Sequence, residues 1–509
     1  MPLSPRFLPR PWPTRLLLVL VFGLHFLLGA ALGLSIDEAH YLLYALHPAL
    51  SYFDHPPLVG WVQWPLVALD LPTAFLRLVP GVFWLATVVV VYHLAARLQG
   101  MSAPQRSTEY CQYAGFWAVL ALALAPLLHL LGIGLLPDTL LMFFGVLLMR
   151  QTLILMDPAT VLRPMPWLVL GVLAGLAGLS KYTAILAAVA VGVCLVVAHG
   201  GRVLRSPRLW MAVAVALVLV LPVAVWNLQN NGISFAYQAQ HGAGNAWQFA
   251  HVLRFLLLQM LAYGPLLWWA WSGWQQAAGK NARSLIAFFA VAFAVLAFMA
   301  GGGTSLPHWT APAWVALAPF AGMGLARAWR QGQHHLVAWA VALQAMACAA
   351  LLALMFSAGL PFLRDSGTAL ALNPNPNPFA DLHGWEAAGQ QARTLAGQHH
   401  LDSVAVQHWT LASRLGWYAR PLPVHVLEDR VDQFTLWAGQ LPAGGNALLV
   451  DWSLMAFELP LGATGFANCT LLDTYPVVRW GAPISSFRFY ACNGWGGGAT
   501  PQARHMPTP

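Results

Sequence analysis

Long apolar runs alternate with short polar ones over the first ~360 residues, a spacing that suits bilayer spans of about 20 residues each. Eleven membrane helices are predicted, near 16–34, 75–96, 113–131, 136–153, 166–180, 182–198, 209–226, 251–271, 284–300, 309–326 and 335–357. Two stretches between the first and second runs, "AHYLLYALHPALSYF" and "PLVGWVQWPLVALDL", are too polar or too broken to span and too apolar to stand in water. They read as helices lying on the membrane surface, with Trp61 and Trp64 at headgroup level, or alternatively as a re-entrant hairpin. "LNPNPNPFADL", residues 372–382, breaks the pattern as a Pro/Asn linker. Beyond it, "SVAVQHWTLASRLGWYAR", "PVHVLE", "NALLVDW" and "SSFRFYACNGW" mix helical and strand periods. The expected organisation is a membrane domain over 1–357 with a first outer loop at 35–74, a linker over 358–380, a small α/β domain over 381–495, and a Pro-rich disordered tail over 496–509.

Composition agrees with a polytopic helical membrane protein. Of 509 residues 59% are hydrophobic and only 8% charged, against about 25% charged in soluble domains. The mean hydropathy is +0.63, and the 24 tryptophans suit interfacial belts. The net charge of +8 does not indicate nucleic acid as a partner, because the basic residues sit in short loops between apolar runs. Alternate segments carry Arg6, Arg10, Arg15, Arg97, Arg106, Arg150, Arg163, Arg202, Arg205, Arg208, Lys280, Arg283, Arg327 and Arg330. Up to residue 357 the opposite side offers only Arg77, Lys181 and Arg254, each at or inside a span end. The positive-inside rule then puts the N-terminus in the cytoplasm, and an odd span number leaves the C-terminal domain outside. Residues 1–34 resemble a secretory leader in charge and Leu content, but the apolar run is long and many spans follow, so an uncleaved anchor is expected. An oxidising periplasm would let Cys469 and Cys492 join in a disulfide, with two free thiols as the alternative.

The polar residues inside this apolar frame gather on the outer side. "SIDEAHYLLYALHPALSYFDHPPLVGW", residues 35–61, brings Asp37, Glu38, Asp54 and His55 together, with Tyr41 among them. Asp138 opens the fourth span in "LLPDTLL", Lys181 interrupts "GLAGLSKYTAILA", Arg254 begins the eighth span, and His308 closes "GGGTSLPHW". Each has a bland reading. Asp37 and Glu38 fit a helix N-terminus after Ser35, Asp54-His55-Pro56-Pro57 fits a tight turn, and Asp138 fits a helix cap. Lys181 follows fourteen apolar residues, about 21 Å of helix against a core of ~30 Å, so it sits below the surface in a cavity or against an anion, or snorkels outward. Ionisable groups at the hydrocarbon are costly, and their common side reads as one site. Such a site fits transfer from a lipid phosphate, with cations on the phosphate and Asp37 taking a proton from a nucleophile.

The first outer loop closely resembles that of the GT-C glycosyltransferases in the protein O-mannosyltransferase and aminoarabinose-transferase superfamily, narrowly the bacterial glycosyltransferase 39 or lipopolysaccharide galacturonosyltransferase-like domain. "LLPDTLLMFFGVLLMR", "GLAGLSKYTAILA" and "SLPHWTAPAWVALAPFAG" resemble the same family in the same order, over roughly residues 15–330. The resemblance implies a polyprenyl-phosphate sugar donor and an acceptor glycan, lipid A or protein at the periplasmic face of a bacterial inner membrane. It implies Asp37, Glu38 and Asp138 as catalytic carboxylates, His55 and Lys181 as donor-phosphate contacts, and His308 as a further donor-site contact. Arg254 is a donor-phosphate candidate from its place at a span end on the outer side, and Asp54 and Tyr41 of the first loop are further substrate-binding candidates. His55 stands where aminoarabinose transferases carry a lysine, which makes that phosphate contact pH-sensitive. No cofactor is required, and a divalent metal held by Asp37 and Asp138 is the minor alternative. Two competing classes remain, a transporter or flippase for a lipid-linked or anionic substrate, and a membrane anchor for an outer binding domain. The absence of a duplicated half counts against the first, and the loop-1 cluster against the second.

Overall fold

The computed structural model describes residues 12–359, 377–428 and 430–498. Arg6, Arg10, most of the expected linker and the expected tail from 499 lie outside the described residues. The chain divides into two compact units, Met1–Leu27 with Pro48–Ala349, and Leu28–His47 with Ala350–Pro509. The boundaries fall between Leu27 and Leu28, inside the first outer loop between His47 and Pro48, and between Ala349 and Ala350.

The first unit is helical, and every predicted apolar run in it corresponds to a helix or a bent helix pair. Among the described residues six helices are long and apolar enough to cross a membrane, or eight when each of two bent pairs counts as one span. Pro164–Ser180 and Ala184–His199 are shorter. At 17 residues the first covers about 25 Å. It runs close against Pro207–Gln229 because glycine replaces side chains at the contact. A Cβ at Gly171 would lie 2.5 Å from the Ala212 carbonyl oxygen, and one at Gly175 2.6 Å from Leu219. The two bent pairs, Thr108–Ala123 with Pro126–Ile133 and Phe249–Tyr263 with Pro265–Gln276, turn by 79° and 97°. Such breaks free backbone groups that lipid cannot satisfy. Gln344 supplies partners to both, donating to the carbonyls of Ala121 and Tyr263 (3.2 Å each) and accepting from the Leu266 N–H (2.9 Å). Cys348 donates its thiol to the Leu124 carbonyl at 2.5 Å.

The second unit contains a five-stranded sheet in the order β2-β1-β3-β5-β4: β1 Val404–Val406, β2 Val424–Val426, β3 Ala447–Trp452, β4 Phe466–Arg479 and β5 Ala482–Trp495. Strands β1, β2 and β3 are parallel, joined through the helices Trp409–Tyr418 and Gln433–Ala438, while β5 and β4 add antiparallel on one side. The fully buried burial pattern of the parallel strands is the one expected of strands covered on both faces. Cys469 and Cys492 face each other across β4 and β5 and are joined by a disulfide.

The first outer loop departs from expectation. Its first helix is Ile36–Leu46, and Glu38 to Ala45 are buried in protein rather than laid on a membrane surface. The cover is the helix Trp409–Tyr418: His40 Nδ1 and Ser413 Oγ are 3.2 Å apart, and Gly416 leaves room for Leu43. The second stretch is three short helices, Leu58–Trp61, Trp64–Ala68 and Thr73–Leu76, broken by Pro65 and Pro72. Trp64 is exposed, while Trp61 donates to the Ala49 carbonyl.

Candidate active site

In the first unit the chain brings Asp138, Lys181 and His308 together. Asp138 stands in the first turn of Pro137–Leu155, where a carboxylate faces the positive end of the helix. Lys181 is the C-cap of Pro164–Ser180, in extended backbone between two short helices. Its Nζ donates to both carboxylate oxygens of Asp138, at 2.8 and 2.7 Å, and both side chains are buried. Of the two alternatives for Lys181, burial against an anion is the one observed, and the anion is the chain's own. The ammonium also lies 5.2 Å from the centroid of the Trp309 ring, a favourable cation–π placement. His308 Nε2 lies 3.8 Å from Asp138. Burial lowers its pKa to about 4 despite the pull of Asp138, and Lys181 adds to the lowering, so the imidazole is neutral at neutral pH.

A polar layer holds this group in place. Tyr263 and Gln259 donate to the Pro307 carbonyl, at 3.0 and 3.3 Å, and Gln259 Oε1 accepts from Thr310 (2.5 Å) and Trp314 (2.7 Å). The segment carrying His308 and Trp309 is thereby fixed. Beside Lys181, Tyr182 shares a hydrogen bond with Ser234 (2.7 Å) and lies within electrostatic reach of Asp54. The Asp54 carbonyl accepts from Gln238 at 2.5 Å, and Phe53 packs on Tyr237 with ring centroids 4.7 Å apart. His55 follows, half-buried. Arg254 stands exposed on Phe249–Tyr263, with no ion pair among the described residues. An apolar cleft lined by Leu141, Leu186, Phe288, Trp309 and Ala316 runs between the helices, and Trp309 borders both this cleft and the ammonium.

Asp37, Glu38 and Tyr41 belong to the second unit. Ser35 caps Ile36–Leu46 in a capping box: Ser35 Oγ accepts from the Glu38 N–H (3.3 Å), and Glu38 Oε2 accepts from the Ser35 N–H (3.0 Å). Glu38 is thus engaged in shaping the first turn, and Asp37 is the half-buried carboxylate that this turn presents. Two backbone bonds anchor the entry to the helix, Gly33 N–H to the Leu382 carbonyl and Leu34 N–H to the Tyr418 hydroxyl, both 3.0 Å. Gly33 is required there, since a Cβ would lie 2.6 Å from the Leu382 oxygen. Tyr41 is buried, its ring edge-on to His40 and Tyr44. Arg414, on the helix against which Ile36–Leu46 packs, is wholly buried over the Trp385 ring and pairs with Asp381 at 2.6 Å. Burial lowers its pKa, while Asp381 and, more weakly, Tyr418 and Asp37 raise it.

Sequence reasoning missed Trp309, Tyr182 and Arg414. Trp309 and Tyr182 adjoin His308 and Lys181 in the chain, which is the signal that marks them. Nothing in the pattern singles out Arg414.

These features define a polytopic helical membrane protein with a small C-terminal sheet domain, in the GT-C fold. The solved structure of ArnT from Cupriavidus metallidurans bound to undecaprenyl phosphate matches with a TM-score of 0.60 at 18% identity, covering 93% of this chain and 97% of that one. The same protein in the apo state matches with a TM-score of 0.58 at 17% identity. Residues 54–226 match the family described as dolichyl-phosphate-mannose-protein mannosyltransferase. The lipid A galacturonosyltransferase RgtD of Rhizobium johnstonii is 25% identical over 250 residues, 48% of this chain and 50% of that protein, so the match spans about half the length of this relative. The resemblance to GT-C glycosyltransferases of the ArnT-like, glycosyltransferase 39 group is thus shown by sequence over part of the chain and by fold over nearly all of it.

Proposed function

We propose that the protein moves a hexose or pentose from a polyprenyl-phosphate donor to an acceptor hydroxyl on an envelope glycan, lipid A or protein, at the periplasmic face of a bacterial inner membrane. The observation that carries this reading is Trp309, which borders both the buried Lys181 ammonium and the apolar cleft. That adjacency suits a ligand with an anionic head and a hydrocarbon tail, the chemistry of the undecaprenyl phosphate bound by the ArnT relative. Lys181, with its orientation fixed by Asp138, serves the donor phosphate, and His55 and Arg254 contribute further donor contacts. His308 is a neutral hydrogen-bond partner, and Asp54 and Tyr41 contact substrate.

In the reaction the acceptor oxygen attacks the anomeric carbon, and the bond from that carbon to the phosphate oxygen breaks. The electron pair leaves with the phosphate, and Asp37 takes the acceptor proton. The products are the glycosylated acceptor and polyprenyl phosphate. Fixed cations at the leaving phosphate supply electrostatic stabilisation, and the step as written requires no metal or other cofactor. Eleven spans, a cytoplasmic N-terminus and a periplasmic sheet domain complete the proposal.

The test is Asp37→Asn in lipid nanodiscs, with a radiolabelled polyprenyl-phosphate sugar and lipopolysaccharide. General-base assistance is worth about 10²–10⁴-fold, so the rate falls by that factor while donor binding is kept. Transfer at the wild-type rate would remove Asp37 as the base.

A further inference from the structure

We infer that the second unit holds a sugar residue of the acceptor in a crevice at the carboxyl ends of β1, β2 and β3, between His408, Glu428 and Phe457. This inference deepens the transferase reading and rests on it. In open parallel sheets ligands settle beyond the carboxyl ends of the strands, where successive connections leave in opposite directions. Here β1 lies between β2 and β3, so the connection from β1 runs to one neighbour and the chain then returns to the other. Three loops meet at that point.

His408 follows β1, and its Nε2 lies 3.4 Å from Glu428 Oε1, which follows β2. The His408 ring stacks on Phe457, which follows β3, with centroids 6.3 Å apart. Trp409 packs edge-on to His40, with centroids 5.6 Å apart, and Trp437 lies near His40 on another side. His40 is one helical turn from Asp37, so the aromatic wall leads from the strand ends along the helix that carries the proposed base. His408, Trp409, Glu428 and Trp437 are all partly exposed.

An unsatisfied group marks the crevice as a place for a ligand. Asp432 is 3% exposed, and its Oδ1 caps the helix Gln433–Ala438 by accepting from Thr435, but its Oδ2 is buried with no partner among the described residues. A buried carboxylate oxygen in a native protein normally has a partner, and a hydroxyl of a bound ligand could supply the one that Asp432 Oδ2 lacks among the described residues. Asp432 caps the helix whose Phe434 and Trp437 rings lie 5.8 and 6.1 Å from that of His40, and it follows Glu428 by four positions, which places it in the same surroundings. Burial raises the pKa of both carboxyls; Arg430 opposes it in each case, as does the Thr435 capping for Asp432. Two acidic groups repel a phosphate, and flat aromatic faces beside hydrogen-bonding carboxyls suit an uncharged, hydroxyl-rich ring. A sugar of the acceptor glycan has that chemistry.

The experiment titrates full-length protein in nanodiscs with the soluble oligosaccharide released from lipopolysaccharide by complete deacylation. Glu428→Gln and Asp432→Asn preserve shape, and Asn retains the cap. Each is expected to raise the Kd of the oligosaccharide about tenfold, a loss of about 1.4 kcal/mol. A photo-crosslinking derivative of the same oligosaccharide is expected to label peptides containing 408–409 or 428–437 in the unsubstituted protein. Unaltered affinity in both variants, labelling elsewhere, or displacement of the oligosaccharide by a peptide would overturn the crevice. Donor binding, measured separately with the polyprenyl-phosphate sugar alone, reports on the transferase reading: its failure with the crevice labelled sinks that reading and not the sugar site.

Discussion

Lys181 and Asp138 form a buried ion pair. Both side chains are under 10% exposed, and the ammonium reaches both carboxylate oxygens. Removing one partner strands the other, and breaking a buried pair costs about 3–5 kcal/mol. Asp138→Leu is therefore expected to lower the midpoint of thermal unfolding in detergent substantially. Asp138→Leu combined with Lys181→Met, which removes both charges, is expected to recover most of that loss while transfer stays abolished. Equal destabilisation in the single and double variants would show that the pair is not the unit of cost. The burial of Lys181 was one of two readings legible in the chain, because fourteen apolar residues cover only about 21 Å of helix and the long stem could also have snorkelled outward. Its partner was not, because Asp138 lies 43 positions away and pairing at that separation is set by helix packing. The neutral state of His308 was equally hidden, since it depends on the burial of its surroundings and not on its neighbours in sequence.

The helix Ile36–Leu46 shows what periodicity can and cannot say about an element. Its start was legible: Ser35 before the acidic pair Asp37 and Glu38 marks a helix N-terminus, and the structure closes it as a capping box. Its surroundings were not, because an apolar face reads the same whether lipid or protein covers it, and here the cover is Trp409–Tyr418. The same ambiguity explains the long helices. Apolar runs located them well, but the turns of 79° and 97° depend on Gln344 and Cys348 from a distant helix. The cap gives the Asp37 turn a direct test. Ser35→Ala removes an N-cap worth about 1 kcal/mol and loosens the turn that presents Asp37. A several-fold fall in kcat with an unchanged KM for donor is expected, and Ser35→Asn, which can still cap, is expected to restore it. A change in donor KM instead would assign the first turn to donor binding.

At the scale of the whole molecule, the chain's basic residues and its cysteines make independent statements about orientation. Up to residue 357 basic residues crowd into alternate loops, and the proposed eleven spans would put the sheet unit on the side whose loops lack them. The disulfide between Cys469 and Cys492 is the kind of bond that persists in an oxidising compartment. The same proposed map would put Cys111, half-buried and five positions after Arg106, on the cytoplasmic side, while Cys194 and Cys348 are buried among helices. Spheroplasts treated with a membrane-impermeant reductant and then a polyethylene-glycol maleimide are expected to show two added tags, both lost in Cys469→Ser/Cys492→Ser. Without reductant the expectation is no tag, because the disulfide holds both sulfurs. Cys111 is expected to react only after the membrane is permeabilised. Tags on Cys469 and Cys492 that also need permeabilisation would place the sheet unit in the cytoplasm, and an acceptor crevice there would be out of reach of an envelope glycan.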